Sequence, residues 1–117
     1  MIDIAGYTTL ATIDMVMNTG EDAYAFGLLL DESGDLYQAD GYGCTCCNNA
    51  HDDANERPVK KVQSLDALIR HLDSFWVLVG TTDKTKVEQE IIRALQVASE
   101  HMFRARAITF EFCGFPS

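Results

Sequence analysis

Three strand-like runs separated by short polar turns constrain this chain more than any other feature. "TTLATIDMVM" sets Leu10, Thr12, Asp14 and Val16 against Ala11, Ile13, Met15 and Met17, a period of two with one apolar face. After the turn-like "NTGED", the run "AYAFGLLL" from Ala23 to Leu30 is rich in strand formers. The polar "DESGD" then leads into "LYQAD". Such a succession reads as an antiparallel hairpin meander. Asp31, Ser33 and Asp35 alternate as at the start of a calcium loop, but the remaining ligand positions of an EF-hand are missing, so this stretch reads as a turn.

Beyond the hairpin the pattern changes. Gly41 to Arg57 loses periodicity and has the Gly, Asn and Asp content of a loop, and "PVKKV" returns to extended structure. Ser64 stands at an N-cap position with Asp66 in the first turn, while Leu65, Leu68, Ile69 and Leu72 share one face. This predicts a helix over about 65–73. "SFWVLVG" reads as an extended segment from its aromatic and β-branched content. Val87, Ile91, Leu95, Ala98 and Met102 recur at helical spacing and predict a long helix over about 84–104, and "AITFEF" alternates as a strand with Ile108, Phe110 and Phe112 on one side. The expected architecture is therefore one α+β domain over residues 1–117. Its antiparallel sheet, made of the N-terminal strands, the hairpin and a C-terminal strand, packs against two helices.

The 117 residues are enough for one core. Net charge is −9 and unevenly placed: Met1 to Arg57 holds 11 acids and one base, whereas the remainder is nearly balanced. Direct nucleic-acid binding, which needs Lys/Arg patches, is not expected, but an acidic half can steer a basic protein partner. Asp31, Glu32 and Asp35 at the hairpin tip are the candidate partner-binding residues. The amino-terminal stretch lacks a signal-peptide pattern and no apolar run approaches the roughly 20 residues of a membrane span, so a cytoplasmic protein is expected. Exposed apolar area on the long helix would serve a homo-oligomer as readily as a sheet.

"GYGCTCCNNAHDD" carries the chemistry. In a reducing compartment its cysteines read as thiols or metal ligands. Cys44, Cys46 or Cys47, His51 and distant Cys113 supply candidate ligands for zinc, with Asp52 or Asp53 as substitutes for a thiolate. The spacing departs from that of two Cys-pair half-sites. A nucleophilic cysteine is disfavoured by the surrounding carboxylates, and motifs of common enzymes are missing, so no catalytic residue is assigned. The competing reading is architectural: Gly41 and Gly43 shape the chain by positive φ or close backbone approach, with small buried thiols packed beneath the turn. A small-molecule pocket beside these glycines is a third reading. His71 and His101 read as partly exposed helix residues.

The stretch "GDLYQADGYGCTC", a strand ending in Ala-Asp followed by Gly-Cys-small-Cys, resembles a group of small proteins of actinobacterial phages. The likeness spans about 23–72 and touches Gly43, Cys44, Thr45 and Cys46, whereas Cys47, His51 and Cys113 fall outside it. In that group the loop usually continues with proline and an aromatic residue, where this chain has "CNNAHDD". The resemblance implies a phage-encoded, intracellular accessory protein. With the acidic half, the leading expectation is a non-enzymatic interaction protein of the host cytoplasm that binds a host or defence protein. The alternative is a small zinc-binding domain organised by the Cys44–His51 loop.

Overall fold

A computed structural model describes residues 1–112, with side chains described through Met102. Strands β1 (Tyr7–Val16), β2 (Asp22–Asp31) and β3 (Leu36–Cys44) form an antiparallel meander. A two-residue strand β4 (Lys60–Lys61) adds to the far edge of β3, giving the order β1-β2-β3-β4. Helix α1 (Ala50–Glu56) precedes β4, and α2 (Leu65–Trp76) and α3 (Lys84–Phe112) follow it. The fold is α+β, built on an antiparallel sheet.

Both hairpins turn where the sequence offers left-handed glycine. Gly20 (φ 76°) sits in the β1–β2 turn and Gly34 (φ 87°) in the β2–β3 turn. In the second turn, Oδ1 of Asp31 accepts the backbone N–H groups of Ser33 and Asp35 at 3.0 and 2.8 Å. Asp31 thus spends its carboxylate on the turn, while Glu32 and Asp35 stand exposed at the tip and Asp35 lies 4.0 Å from Lys61 Nζ.

Strand β2 is central and buried on both faces, which explains why "AYAFGLLL" is a continuous apolar run and not an alternating one. Tyr24, Phe26 and Leu28 point to a core shared with Ile13, Met15, Leu68, Leu72, Val87, Ala94 and Ala98, so that α2 and α3 cover this face. Ala25 and Leu29 point the other way, toward Ile2, Ala39, Ala50 and Ala54, and α1 covers that face with the amino-terminal segment. Helix α2 starts as expected: Ser64 Oγ accepts the Ala67 N–H at 3.0 Å.

Three expectations are corrected. Strand β3 runs on through Gly41 and Gly43 to Cys44, and "AHDDANE" is helical, so the loop shrinks to the residues between Cys44 and Ala50. "SFWVLVG" is split: α2 continues to Trp76, a turn follows, and only Val79 pairs, through an isolated bridge to Met17. "AITFEF" belongs to α3, so it contributes no C-terminal strand and β4 supplies the fourth one. Extending an established helix adds a hydrogen bond per residue without a new nucleation cost, and the preceding Glu, Met, Arg and Ala residues carry it forward.

Candidate metal centre

The end of β3 and the start of α1 are fastened by side chains that satisfy a sheet edge. Strand β4 pairs only with Tyr37 and Gln38, leaving the outward N–H groups of Tyr42 and Cys44 without a strand partner. Asp53 Oδ2 accepts the first at 2.7 Å and Asn49 Oδ1 the second at 3.1 Å. Arg57 Nε donates to the same Asp53 oxygen at 2.5 Å, and its guanidinium lies 4.8 Å over the Tyr42 ring. The backbone amide of Tyr42, followed by Arg57, holds the Asp53 carboxyl below the usual carboxylate range.

Gly41 and Gly43 permit this fastening. A Cβ on Gly41 would drive into the Ala50 carbonyl and lie 2.6 Å from the Ala54 nitrogen. One on Gly43 would meet the Asn49 side chain and the Ala50 nitrogen at 2.9 Å. Both glycines therefore shape the site by close backbone approach, and neither has positive φ. Helix α1 packs directly on both glycines, and the cleft beside this loop is lined by Thr45, Asn48, Ala50 and His51 and not by the glycines themselves.

Between the two elements the chain makes one tight turn. Asn48 N–H donates to the Cys44 carbonyl at 3.1 Å, with Asn48 in the left-handed region (φ 50°). Thr45 pins the turn to the β1–β2 hairpin: its N–H bonds the Glu21 carbonyl at 2.9 Å and its hydroxyl the Gly20 carbonyl at 3.1 Å. This turn gathers three thiols. Cys44 and Cys46 have sulfurs 2.8 Å apart, Cys46 and Cys47 3.5 Å, and all three Sγ atoms lie within 4.8 Å of one another. None is bonded to another: the three are free thiols.

The expectation of small buried thiols beneath the turn is overturned, since Cys46 and Cys47 are exposed and Cys44 is half-buried at the strand end. Pinning by Thr45 and Asn49 turns these side chains outward. Their proximity divides their acidity. Hydrogen bonds from Cys46, then Cys47, hold the Cys44 thiol below its ordinary value, while hydrogen bonds to Cys44 and Cys46, followed by their charge, push Cys47 up to about 11. The three thiols therefore do not ionise alike, Cys44 giving up its proton before Cys47.

The structure separates the rest of the expected ligand set. His51 Nε2 bonds Asp14 Oδ1 across to β1 and does not join the sulfurs. Asp53 is committed to Tyr42 and Arg57, and Cys113 lies outside the described residues. Among the described residues no imidazole or carboxylate completes the group within 4.8 Å. His51 instead borders a cleft of about 480 Å³ with Asp14, Thr45, Asn48 and Asp52.

A second polar cluster lies on the opposite face of the sheet. Asp40 is buried in β3, and its Oδ1 accepts from Tyr24 Oη and from His71 Nε2 at 2.8 Å, while Oδ2 accepts from Gln38 Nε2 at 2.9 Å. Because the acceptor is a carboxylate, the proton of His71 sits on Nε2. Burial opposes ionisation of Asp40, but the bonds from His71, Tyr24 and Gln38 outweigh it and bring the carboxyl below its ordinary value. Burial, followed by the charge of Asp40, pushes the Tyr24 phenol up. Phe75 stacks on Tyr24 with ring centroids 3.9 Å apart and closes the cluster. It joins β2, β3 and α2 in a polar core in which every Asp40 oxygen is satisfied.

His71 is a partly exposed residue of α2, as its sequence suggests, but its bond to Asp40 and the roles of Tyr24, Gln38 and Asp40 were not foreseen. The available signal was the polar pair Gln38 and Asp40 at a spacing of two, on the face of β3 that meets the core.

No helix among the described residues is long and apolar enough to cross a membrane. Comparison with protein-family models, with curated proteins and with solved structures found no match.

Proposed function

We propose that this protein is a small metal-binding protein whose Cys44, Cys46 and Cys47 thiolates hold a soft or borderline d10 cation, with zinc the leading candidate. The observation that carries the reading is the convergence of three sulfurs within 4.8 Å on a turn fastened at both ends. Tetrahedral zinc with bonds of about 2.3 Å sets its sulfurs about 3.8 Å apart. Separations of 2.8 and 3.5 Å lie within a small outward rotation of that spacing. A cation bound here would neutralise thiolates that otherwise repel, and would tie the end of β3 to the entry of α1. Anaerobic titration of the reduced protein with zinc against a chromophoric chelator tests the reading. One equivalent retained per chain supports it, and indifference of zinc uptake to Cys46→Ser contradicts it.

A second reading, an acidic phage accessory protein that engages a basic host or defence protein, draws support from the hairpin tip, where Glu32 and Asp35 are exposed on a turn held by Asp31. Pull-down from a bacterial host lysate with wild type and with E32K/D35K tests it. A captured basic protein lost on charge reversal supports this surface, and equal capture by both excludes it.

A further inference from the structure

The thiol turn sets two of its sulfurs in a position to react with each other. Cys44 Sγ and Cys46 Sγ stand 2.8 Å apart, so a displacement of under about 1 Å brings them to the disulfide length of about 2.05 Å. Cys46 and Cys47 are farther apart, at 3.5 Å, and a bond between neighbours in sequence would bend the peptide that joins them away from its trans plane. The surroundings hold the closer pair. Asn49 Oδ1 accepts the Cys44 N–H at 3.1 Å. Thr45, the one residue between the pair, is bonded through its N–H to the Glu21 carbonyl at 2.9 Å and through its hydroxyl to the Gly20 carbonyl at 3.1 Å. Holding reacting groups together in this way raises their effective concentration for a step between them.

Exposure and acidity divide the roles. Cys46 and Cys47 are open to an incoming molecule, but the Cys47 thiol is pushed up to about 11 by hydrogen bonds to Cys44 and Cys46, which keeps it protonated and a poor nucleophile. Cys44 is half-buried, and hydrogen bonds from Cys46, then Cys47, hold it below the ordinary thiol value. We propose that Cys44 and Cys46 form a redox-active dithiol that reduces low-molecular-weight disulfides and closes into an intramolecular disulfide. The Cys46 thiolate attacks one sulfur of the substrate RSSR, a Cys46–SR bond forms, and RS⁻ leaves. The Cys44 thiolate then attacks the Cys46 sulfur, the Cys44–Cys46 bond forms, and the second RS⁻ leaves. The two cysteines have given up two protons and two electrons, and RSSR has taken both to become two RSH. The bridge spans a single residue, so it constrains the unfolded chain little and serves reversible exchange better than stability. The inference needs only the thiol geometry and stands apart from the metal-binding reading, although closure consumes two of the three sulfurs that would hold a cation.

Hydroxyethyl disulfide, small and uncharged, serves as the probe on the reduced, metal-free chain, with the products mapped by peptide mass spectrometry. The wild type is expected to lose two hydrogens across Cys44 and Cys46, and dithiothreitol should restore them. Cys47→Ser should close the same bond. Cys44→Ser should stop at a mixed disulfide on Cys46, because the second nucleophile is gone. A wild-type chain that stops at mixed disulfides without closing, or that pairs Cys46 with Cys47 or Cys113, would overturn the inference, and this map of the wild type decides the matter even where a variant fails to fold. Zinc titration of the same reduced protein keeps the two readings apart. A chain that closes the Cys44–Cys46 bond but retains no zinc keeps this inference and loses the metal-binding reading, whereas one that retains zinc but does not close the bond when metal-free does the reverse.

Discussion

His71 Nε2 and Asp40 Oδ1 stand 2.8 Å apart where α2 crosses β3, and the same carboxylate oxygen receives the Tyr24 hydroxyl. A buried acid with three donors is stabilising only while all of them remain, because each group left alone keeps its desolvation cost. Asp40→Asn turns an amide donor toward at least one of these donors and should cost about 3 kcal/mol at pH 7. Tyr24→Phe removes one donor and keeps the Phe75 stack, so it should cost about 1–2 kcal/mol. Denaturant unfolding monitored by circular dichroism checks both values.

The pH dependence follows from the depressed Asp40 pKa. Folding lowers it, so its contribution is complete above the unfolded value of about 3.9 and is lost as pH falls through the folded value. The stability gap between wild type and Asp40→Asn should therefore persist at pH 5 and shrink below about pH 4. A gap that widened on acidification would contradict the assignment.

Gly41 and Gly34 should respond to alanine for different reasons. At Gly41 the new methyl meets the backbone of α1, so the helix must move and the cost should reach about 3 kcal/mol, with weaker metal retention. At Gly34 the space is open and only the left-handed backbone is strained, about 1 kcal/mol, with metal retention unchanged. Paired unfolding and zinc-competition measurements on the two variants separate them.

The meander was legible in the sequence because β1 and β2 have short, strongly patterned runs bounded by polar turns. Ser64 and the Leu68/Leu72 pair likewise announced α2. The extent of β3 was not legible, since two glycines and a cysteine look like loop until a helix is known to lie across them. Nor was the fate of "AITFEF": its alternation fits a strand, and only the continuity of α3 decides otherwise. At the candidate site the cysteines and glycines were visible as chemistry, but the partner of His51 was not. Asp14 lies 37 positions away and reaches His51 only through the β1–β2 pairing and the packing of α1. The Tyr24, Asp40 and His71 cluster draws its members from three elements, which no local pattern reports.

The separation of His51 from the sulfurs gives a sharp contrast. Cys44→Ser, Cys46→Ser and Cys47→Ser should each weaken zinc binding by about a hundredfold or more, whereas His51→Ala should change it by less than about threefold. Because the ligands bind as thiolates, affinity should rise by at least about tenfold per pH unit between pH 6 and 7. Chelator competition at the two pH values reads both effects, and loss of binding in His51→Ala would return that residue to the ligand set.

The most direct test of the metal centre is elemental analysis of the reduced, untagged protein after dialysis against metal-free buffer, alongside the Cys44/Cys46/Cys47 triple serine variant. One zinc or other soft cation per folded chain in the wild type, and none in the variant, is the predicted result. A wild-type chain that folds with no bound metal and takes up none when zinc is offered would contradict it.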